Sequence, residues 1–386
     1  MPKVVWLLAI IGFTTMVGSG VVAPSLPALA IEFGITAGVA SLAVSVFAAM
    51  RLVGGLATTG LLRVWTLRTL LSGGLLLQGL SALGAGLAPE VISFLVARAV
   101  GGIGSAAFTA AATGLLIATV PADVRGRAMS TFMTGISLGT VSGPAMGGTL
   151  ATLSARLPLV GYGVATTLAS VLAFVLLRPH RTLRAAGSAP MQDAANGSTR
   201  ATARALATDK VFVAVLMCQF IAGWIFYGMR SGFIPLHLAA AAYSTAFIGL
   251  MVSLTALSQV AGSAIAGPWS DSRGRYGPLL AGIACTAISL VFIALPDRMP
   301  LVVAGFVLLG LAAGGVNSVS SALLGDSGRG TNSTALAAYM VAMDLAAVVG
   351  SLVSGVLADS VGFPAAFALA GALTLAAGAF VLRARR

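Results

Sequence analysis

Very few ionisable side chains interrupt the apolar segments of this chain, and these few have the clearest chemistry. Asp344 is the one carboxylate that we place well inside an apolar segment, and Arg51 and Arg98 lie inside two others. Ionisable residues at such a depth need a partner and usually serve a function. The pattern predicts that Asp344 exchanges protons as it gains and loses an arginine partner, either Arg51 or Arg98. The alternative is a fixed pair that only holds helices together.

Aromatic and uncharged polar side chains within the apolar segments could bind a ligand. Three aromatic residues from Phe220 to Tyr227 are spaced at i, i+4 and i+7 and form one stripe on a helix. In a cavity this stripe would hold a flat apolar or cationic compound, whereas towards lipid it would be greasy surface. Arg230, later in the same segment, is expected to extend its side chain to the membrane interface. The residues predicted to line a substrate cavity are Phe220, Trp224, Tyr227, Gln259, Asn317 and Met340.

Other kinds of reactive centre find little support in the sequence. Cys218, Cys285, His180 and His237 are its only cysteines and histidines, and none has ligand or redox spacing to another. We therefore predict no metal site and no cofactor. A phosphate-binding glycine loop with its lysine is also missing, which argues against a nucleotide-driven pump. An intramembrane enzyme remains a remote alternative, because no nucleophile has a credible base.

The composition is that of a membrane protein. Hydrophobic residues make up 58% of the 386 residues and charged residues only 8%, and the mean hydropathy is +1.02. Soluble domains do not reach such values. A net charge of +12 would ordinarily suggest nucleic acid as a partner, but there is almost no polar face to carry it. The lipid bilayer is the predicted partner, and nucleic acid is not.

Twelve apolar segments are each long enough to cross a hydrocarbon core of about 30 Å as a helix. A polar stretch rich in Ala, Ser, Thr and Arg separates six of them from the other six. The predicted domains are a six-helix bundle at 1–177, a cytoplasmic linker at 178–210 and a second six-helix bundle at 211–386. The predicted spans are 4–24, 38–60, 69–88, 91–119, 128–150, 158–177, 211–235, 246–267, 277–295, 300–323, 336–357 and 363–382.

The basic residues predict the orientation. If the N-terminus is cytoplasmic, only Arg156 and Arg298 fall in outer connections, and the inner connections and ends carry most of the 22 Lys and Arg residues. Cytoplasmic loops are enriched in such residues. We therefore predict a multi-pass protein of the cell (inner) membrane with both termini in the cytoplasm.

The two halves also repeat. A shift of 208 residues places Gly262 on Gly54 and Gly310 on Gly102, and it places Gln259 on Arg51. A nearly constant shift across several spans predicts two similar bundles related by an axis along the membrane normal, as in transporters built from parallel repeats.

The fifth apolar segment contains four glycines and a proline within ten residues. In hydrocarbon such a segment stays helical, and glycines four apart let another helix approach closely. The proline adds a kink. This pattern resembles the antiporter motif in the fifth helix of drug exporters of the major facilitator superfamily. The five positions of the motif are Gly139, Gly143, Pro144, Gly147 and Gly148.

Two further motifs resemble those of the same superfamily. Arg98 is followed by a run of glycines from Gly101 to Gly104, as in the fourth helix of the family. The turn after the eighth segment is similar to the family's loop signature, with Ser272 where a basic residue is usual. Its acid and basic residues could latch one conformation. The predicted loop latch consists of Gly267, Asp271, Arg273 and Arg275.

The resemblance implies an all-α polytopic fold of twelve transmembrane helices in two six-helix bundles. It also implies a monomeric, proton-coupled antiporter that exports hydrophobic or amphipathic small molecules by alternating access. A nutrient or metabolite importer or facilitator of the same family is the alternative. Hydroxyl and amide groups near Asn317 would serve such a protein.

Overall fold

The structure, a computed structural model, describes residues 2–61, 64–121, 123–177, 206, 208–326 and 333–384. Within these residues the chain forms twelve long helices, one for each predicted span, and no strands. The predicted all-α fold is confirmed. The helices are α1 (Lys3–Phe33), α2 (Ala37–Leu61), α3 (Leu67–Gly86), α4 (Val91–Thr119), α5 (Arg125–Ala151), α6 (Leu157–Leu176), α7 (Lys210–Ala240), α8 (Thr245–Arg273), α9 (Tyr276–Ile293), α10 (Met299–Asp326), α11 (Ser333–Ser360) and α12 (Phe363–Ala384).

Eleven helices of the described chain are long and apolar enough to cross a membrane. The twelfth, α5, is also long, at 27 residues, but it is not among these eleven. Its apolar character is diluted by the glycines of the motif and by hydroxyl side chains that bond back to their own helix, such as Thr140 to Ile136. These bonds satisfy the hydroxyl groups internally, so α5 fits an apolar setting better than its composition suggests.

The helices pack as two groups of six. In the first group α1 packs on α5 and α3 packs on α4 and α6; in the second, α8 and α9 pack on α10 and α7 packs on α11. The groups meet along two main seams, α2 with α11 and α5 with α8. The predicted linker falls largely on residues 178–205 and 207, which lie outside the described residues, so the domain boundaries stay predictions.

The 208-residue repeat appears in the helix contacts. A Cβ atom at Gly54 would lie 2.8 Å from Ile103 Cα, and one at Gly262 would lie 2.8 Å from Leu311 Cα. Glycine is thus required at both positions, since the two backbones nearly touch. The helix pairs α2–α4 and α8–α10 therefore cross in the same way, through residues that are 208 apart in the sequence.

Several helix ends differ from the prediction. Helix α1 continues to Phe33 instead of ending near residue 24, although Pro24 and Pro27 lie inside it, and it ends at Gly34 in the left-handed conformation. Proline is tolerated in membrane helices because neighbouring groups satisfy the freed carbonyls. The aspartate at 326, which we expected in a loop, is the last residue of α10. Helix α11 extends to Ser360 and so includes a second aspartate, Asp359.

Candidate substrate cavity

A cavity of about 430 Å³ lies between the two bundles. Ligand sites in proteins commonly have volumes of this order. Its wall combines residues of α1, α2, α3, α4 and α5 from the first bundle with residues of α7, α8 and α11 from the second. Of the residues predicted for proton coupling and substrate binding, those that line it are Arg51, Arg98, Tyr227, Gln259 and Asp344.

An ion pair joins the bundles at the cavity wall. Arg51 of α2 donates through Nη2 to the Oδ1 atom of Asp344 on α11. Both side chains are partly exposed, at 34% and 17%, because they face the cavity. Among the two predicted partners of Asp344, the structure thus places Arg51 beside it. Breaking one member of such a pair leaves the other charge without compensation.

Arg98 has a different environment. Its guanidinium stacks over the ring of Phe47, 4.4 Å from the centroid, and its Nε donates to the carbonyl oxygen of Ala43 at 3.4 Å. The neighbouring Gly102 brings α4 against the backbone of α2 at Phe47. Among the described residues Arg98 makes no ion pair, so the structure does not pair it with Asp344.

The prediction that Arg230 extends to the membrane interface is wrong. Its side chain is only 9% exposed and lines the cavity, and its Nε donates to the carbonyl oxygen of Phe226 at 2.7 Å. Helix α7 widens into π-helical turns from Ala222 to Phe233. Gly228 and Gly232 in this stretch lie against Ala347 and Ser351 of α11. The close packing turns the face that carries Arg230 inwards.

Four residues predicted for the cavity do not line it. Trp224 is buried in the core of the second bundle against Gly350, with Phe220 beside it at 6.0 Å between ring centroids. Asn317 lies on α10, which contributes no residue to the cavity wall. Met340 is 50% exposed and is not part of the wall either. Sequence spacing does not say which side of a helix faces the cavity, and a role for these four residues in substrate binding stays a prediction.

Sequence reasoning also missed polar residues of the wall. Gln78 is buried, and its Oε1 atom has no hydrogen-bond partner within the described chain. A buried amide oxygen without a partner is costly. Its only sequence signal is a glutamine inside an apolar segment. The other missed polar residues are Ser19, Ser105, Ser137, Thr140, Arg230, Ser231 and Ser263.

The glycine motif of α5 has two faces. Gly139, Gly143 and Gly147 lie against the backbone of α1, at Phe13, Val17 and Val21. This close approach is inside the first bundle. Only the last position, Gly148, has its side-chain position against the other bundle.

The second seam joins α5 to α8. A Cβ atom at Gly148 would lie 3.0 Å from Gly249 Cα. Beside this contact the backbone nitrogen of Ala145 donates to Ser253 Oγ at 2.8 Å, and Thr245 Oγ1 donates to the Gly148 carbonyl oxygen at 3.2 Å. Small residues and hydrogen bonds between helices are what hold such seams in a membrane.

The predicted loop latch forms only in part. Arg275 donates to Asp271 and, at 2.6 Å, to Asp326. The hydrogen bonds that Arg275 donates to Asp326 and, second, to Asp271 hold the pKa of Arg275 above its ordinary value. These residues all belong to the second bundle, and within the described part of the chain no atom lies within 4 Å of a Cβ placed at Gly267. Arg273 is exposed at the end of α8. A latch between conformations stays a prediction.

A row of polar contacts closes the α2–α11 seam at the end where α2 begins. The Asp359 carboxylate accepts from the backbone nitrogen of Gly38 at 3.0 Å. Further along, Ser351 Oγ donates to the Ser41 carbonyl oxygen at 3.0 Å, and Ser45 donates to the Val348 carbonyl oxygen at 2.9 Å. The pair Arg51–Asp344 continues the row. Asp359 supplies a carboxylate to free N–H groups of α2, where the helix dipole favours negative charge.

Replacing Asp359 with alanine is expected to weaken this closed end. Losing a cap costs about 1 kcal/mol, which corresponds to a shift of up to roughly fivefold towards separated helices. A cysteine at the cavity position Ser19, in a protein with Cys218 and Cys285 replaced by serine, would report this separation of the helices. A membrane-impermeant maleimide added on the side where α2 begins should label that cysteine faster in the Asp359→Ala variant.

Ser360→Ala is the matched control, because Ser360 Oγ bonds only to its own helix, at the Val356 carbonyl oxygen. It should leave the labelling rate unchanged. Equal rates for Asp359→Ala and the parent would mean that the cap does not hold the seam.

Comparisons with known proteins agree with this architecture. A sequence model of the Major Facilitator Superfamily matches residues 8–244 and 220–386. A chloramphenicol resistance protein of Streptomyces lividans is 27% identical over 293 residues, which cover 72% of this chain and 71% of that protein. A bacterial homologue of the human lysosomal transporter Spinster, inward-facing and unoccupied, is similar in structure with a TM-score of 0.81 and 14% identity over 100% of this chain and 98% of that chain. The nucleoside transporter NupG has a TM-score of 0.79 and 11% identity, with 100% of both chains covered.

Twelve long helices of the described chain, in two bundles around a shared cavity, define a multi-pass membrane transporter. The chain belongs to the Major Facilitator Superfamily, whose sequence pattern covers both bundles. The predicted fold and family are confirmed, and the protein is a transporter and not an enzyme.

Proposed function

We propose that this protein is a proton-coupled exporter of hydrophobic or amphipathic small molecules. The observation that carries the proposal is the ion pair between Arg51 and Asp344, because it lines the cavity and also joins the two bundles. The protonation of a titratable group in such a place responds both to bound substrate and to the relative position of the bundles. Intramembrane aspartates of this kind commonly take part in proton relays.

The proposed cycle follows from the seam. When α2 and α11 separate, Asp344 loses Arg51 and takes up a proton, since an isolated buried carboxylate is unfavourable. When they close again, as in this structure, the approach of Arg51 favours loss of that proton. A substrate that then enters the cavity competes with the pair and favours separation. Because Asp344 takes up its proton on one side of the membrane and releases it on the other, proton entry is coupled to substrate exit by linkage alone.

Two further features support export from the cytoplasm. The polar row and the glycine contact at Gly148 both lie where α2 begins and α5 ends, which is the outer end in the orientation that the basic residues favour. The termini are then cytoplasmic, and these contacts close the two seams at the outer end. The resistance protein of Streptomyces lividans, a relative by sequence, points to chloramphenicol-like drugs as first test compounds.

Transport into inverted membrane vesicles with an imposed pH gradient tests the proposal. An exporter should accumulate compound inside these vesicles when their interior is acidic, release protons as it does so, and stop when an uncoupler removes the gradient. Vesicles with an empty vector are the control. Movement of compound in the opposite direction, or uptake that the uncoupler leaves unchanged, would favour an importer or a facilitator instead.

A further inference from the structure

We infer that the cavity selects amphipathic organic anions, such as carboxylates, sulfonates or phosphonates attached to an apolar group. The inference rests on the proposed function for the direction of transport, but the charge preference follows from the cavity itself.

The charges of the wall do not balance. Arg51, Arg98 and Arg230 all line the cavity, and Asp344 is the one carboxylate of the described chain that does so. Because Asp344 is paired with Arg51, two guanidinium groups remain without a counter-charge. Of the ten acidic residues in the sequence only Asp193 lies outside the described residues. Nine acids are thus placed, and none of them balances these two arginines.

Both unbalanced arginines are deeply buried, with 8% of Arg98 and 9% of Arg230 exposed. Each donates through Nε to a backbone carbonyl oxygen, of Ala43 and Phe226 respectively. This bond fixes the stem and leaves the outer N–H groups of each guanidinium, which form the planar fork that binds carboxylate, sulfonate or phosphonate oxygens. A buried cation without an anion is costly, and an anionic ligand removes that cost.

The rest of the wall suits an apolar group. Met16, Val44, Val252 and Ala256 contribute alkyl surface, and Tyr227 adds a ring. A volume of about 430 Å³ admits a compound with one or two rings and a short chain. An apolar wall with two guanidinium groups that lack a counter-charge fits an amphipathic anion better than a sugar or a cation. Two like charges would repel a cation from this space.

Binding of three matched probes to the purified protein in lipid nanodiscs tests the inference. Dansyl taurine carries a sulfonate, dansyl ethanolamine is neutral and dansyl choline is a cation, and all three share one fluorescent ring system. The anion should bind at least roughly tenfold more tightly than the neutral probe, as a charge-assisted contact is worth about that factor. The cation should bind least.

Two variants test whether Arg98 and Arg230 cause the preference for the anionic probe. Arg98→Gln and Arg230→Gln should each weaken binding of dansyl taurine by roughly tenfold and leave the neutral probe nearly unchanged. Arg156→Gln is the matched control, since Arg156 pairs with Glu32 and is not in the cavity wall. Arg98→Lys keeps the positive charge, so it should retain most of the preference for the anion.

The outcomes separate this inference from the proposed function. Equal binding of the neutral and anionic probes by the parent protein would overturn the inference even if every variant failed to fold, and so would a preference for the cation. Variants that weaken all three probes equally would overturn it too. Because binding in nanodiscs needs no gradient, an anion preference without proton-driven transport would support the inference and count against the exporter.

Discussion

Asp344→Asn is expected to abolish proton-driven accumulation of substrate and reduce it to the level of empty vesicles. Asparagine has nearly the same shape and still offers Arg51 an oxygen, so the helices should pack as before. It cannot ionise, however, and the bundles then have no proton-dependent contact at the cavity wall. The variant should still exchange labelled for unlabelled substrate across the membrane, because exchange needs no proton.

The measurement combines two assays on the same inverted vesicles. Accumulation under an imposed gradient reports coupling, and exchange without a gradient reports folding and binding. Asp297→Asn is the control, since this exposed aspartate lies between α9 and α10 and away from the cavity. If Asp344→Asn keeps proton release during substrate uptake, then Asp344 is not the coupling residue, and the ion pair with Arg51 has only a structural role.

The sequence allowed the helices to be predicted because each one obeys a single rule. A segment must bury about 20 apolar residues to cross the bilayer, and this rule acts on each helix separately. The largest error is at α1, which continues through Pro24 and Pro27 to Phe33, beyond its predicted end at residue 24. The soluble-protein rule that proline breaks helices does not apply inside hydrocarbon, where the backbone has no other partner. Asp359 was missed because α11 extends to Ser360, beyond its predicted end at residue 357.

The site was less predictable because it depends on where helices meet. Asp344 and Arg51 could be selected by the high cost of placing a charge in a membrane, but their pairing required the positions of α2 and α11. The aromatic stripe failed for a local reason. The π-helical turns after Ile221 take more residues per turn than an α-helix. Trp224 and Tyr227 therefore separate, one into the core and the other into the cavity.

Gly143→Leu and Gly148→Leu are expected to fail in different ways, although both change the same motif. A Cβ atom at Gly143 would lie 2.9 Å from Val17 Cα, inside the first bundle. A leucine side chain fits there only if the backbones of α1 and α5 move apart. Overpacking of this kind costs about 3 kcal/mol. Native proteins have little stability to spare. We expect Gly143→Leu to lower the unfolding temperature and the yield of folded protein.

Gly148→Leu acts on the seam between the bundles, where a Cβ atom would meet Gly249. The two bundles must separate and rejoin at this seam in any alternating cycle, so a leucine here can be accommodated by holding the seam apart. We expect a folded protein with a nearly normal unfolding temperature but little transport. Labelling of a cavity cysteine from the outer side should increase, as it would for a transporter held open at that end.

Gly161→Leu is the matched control for both variants, because a Cβ atom at Gly161 would meet no atom of the described chain within 4 Å. It should leave the unfolding temperature and transport unchanged, which would show that leucine as such is harmless in these helices. The two experimental variants then test where the motif acts. If Gly143→Leu abolished transport at full stability, its contact with α1 would have to move during the cycle, and the first bundle could not be a rigid unit. If Gly148→Leu transported normally, then the α5–α8 contact would not gate the cavity, and the outer closure would depend on the α2–α11 seam alone.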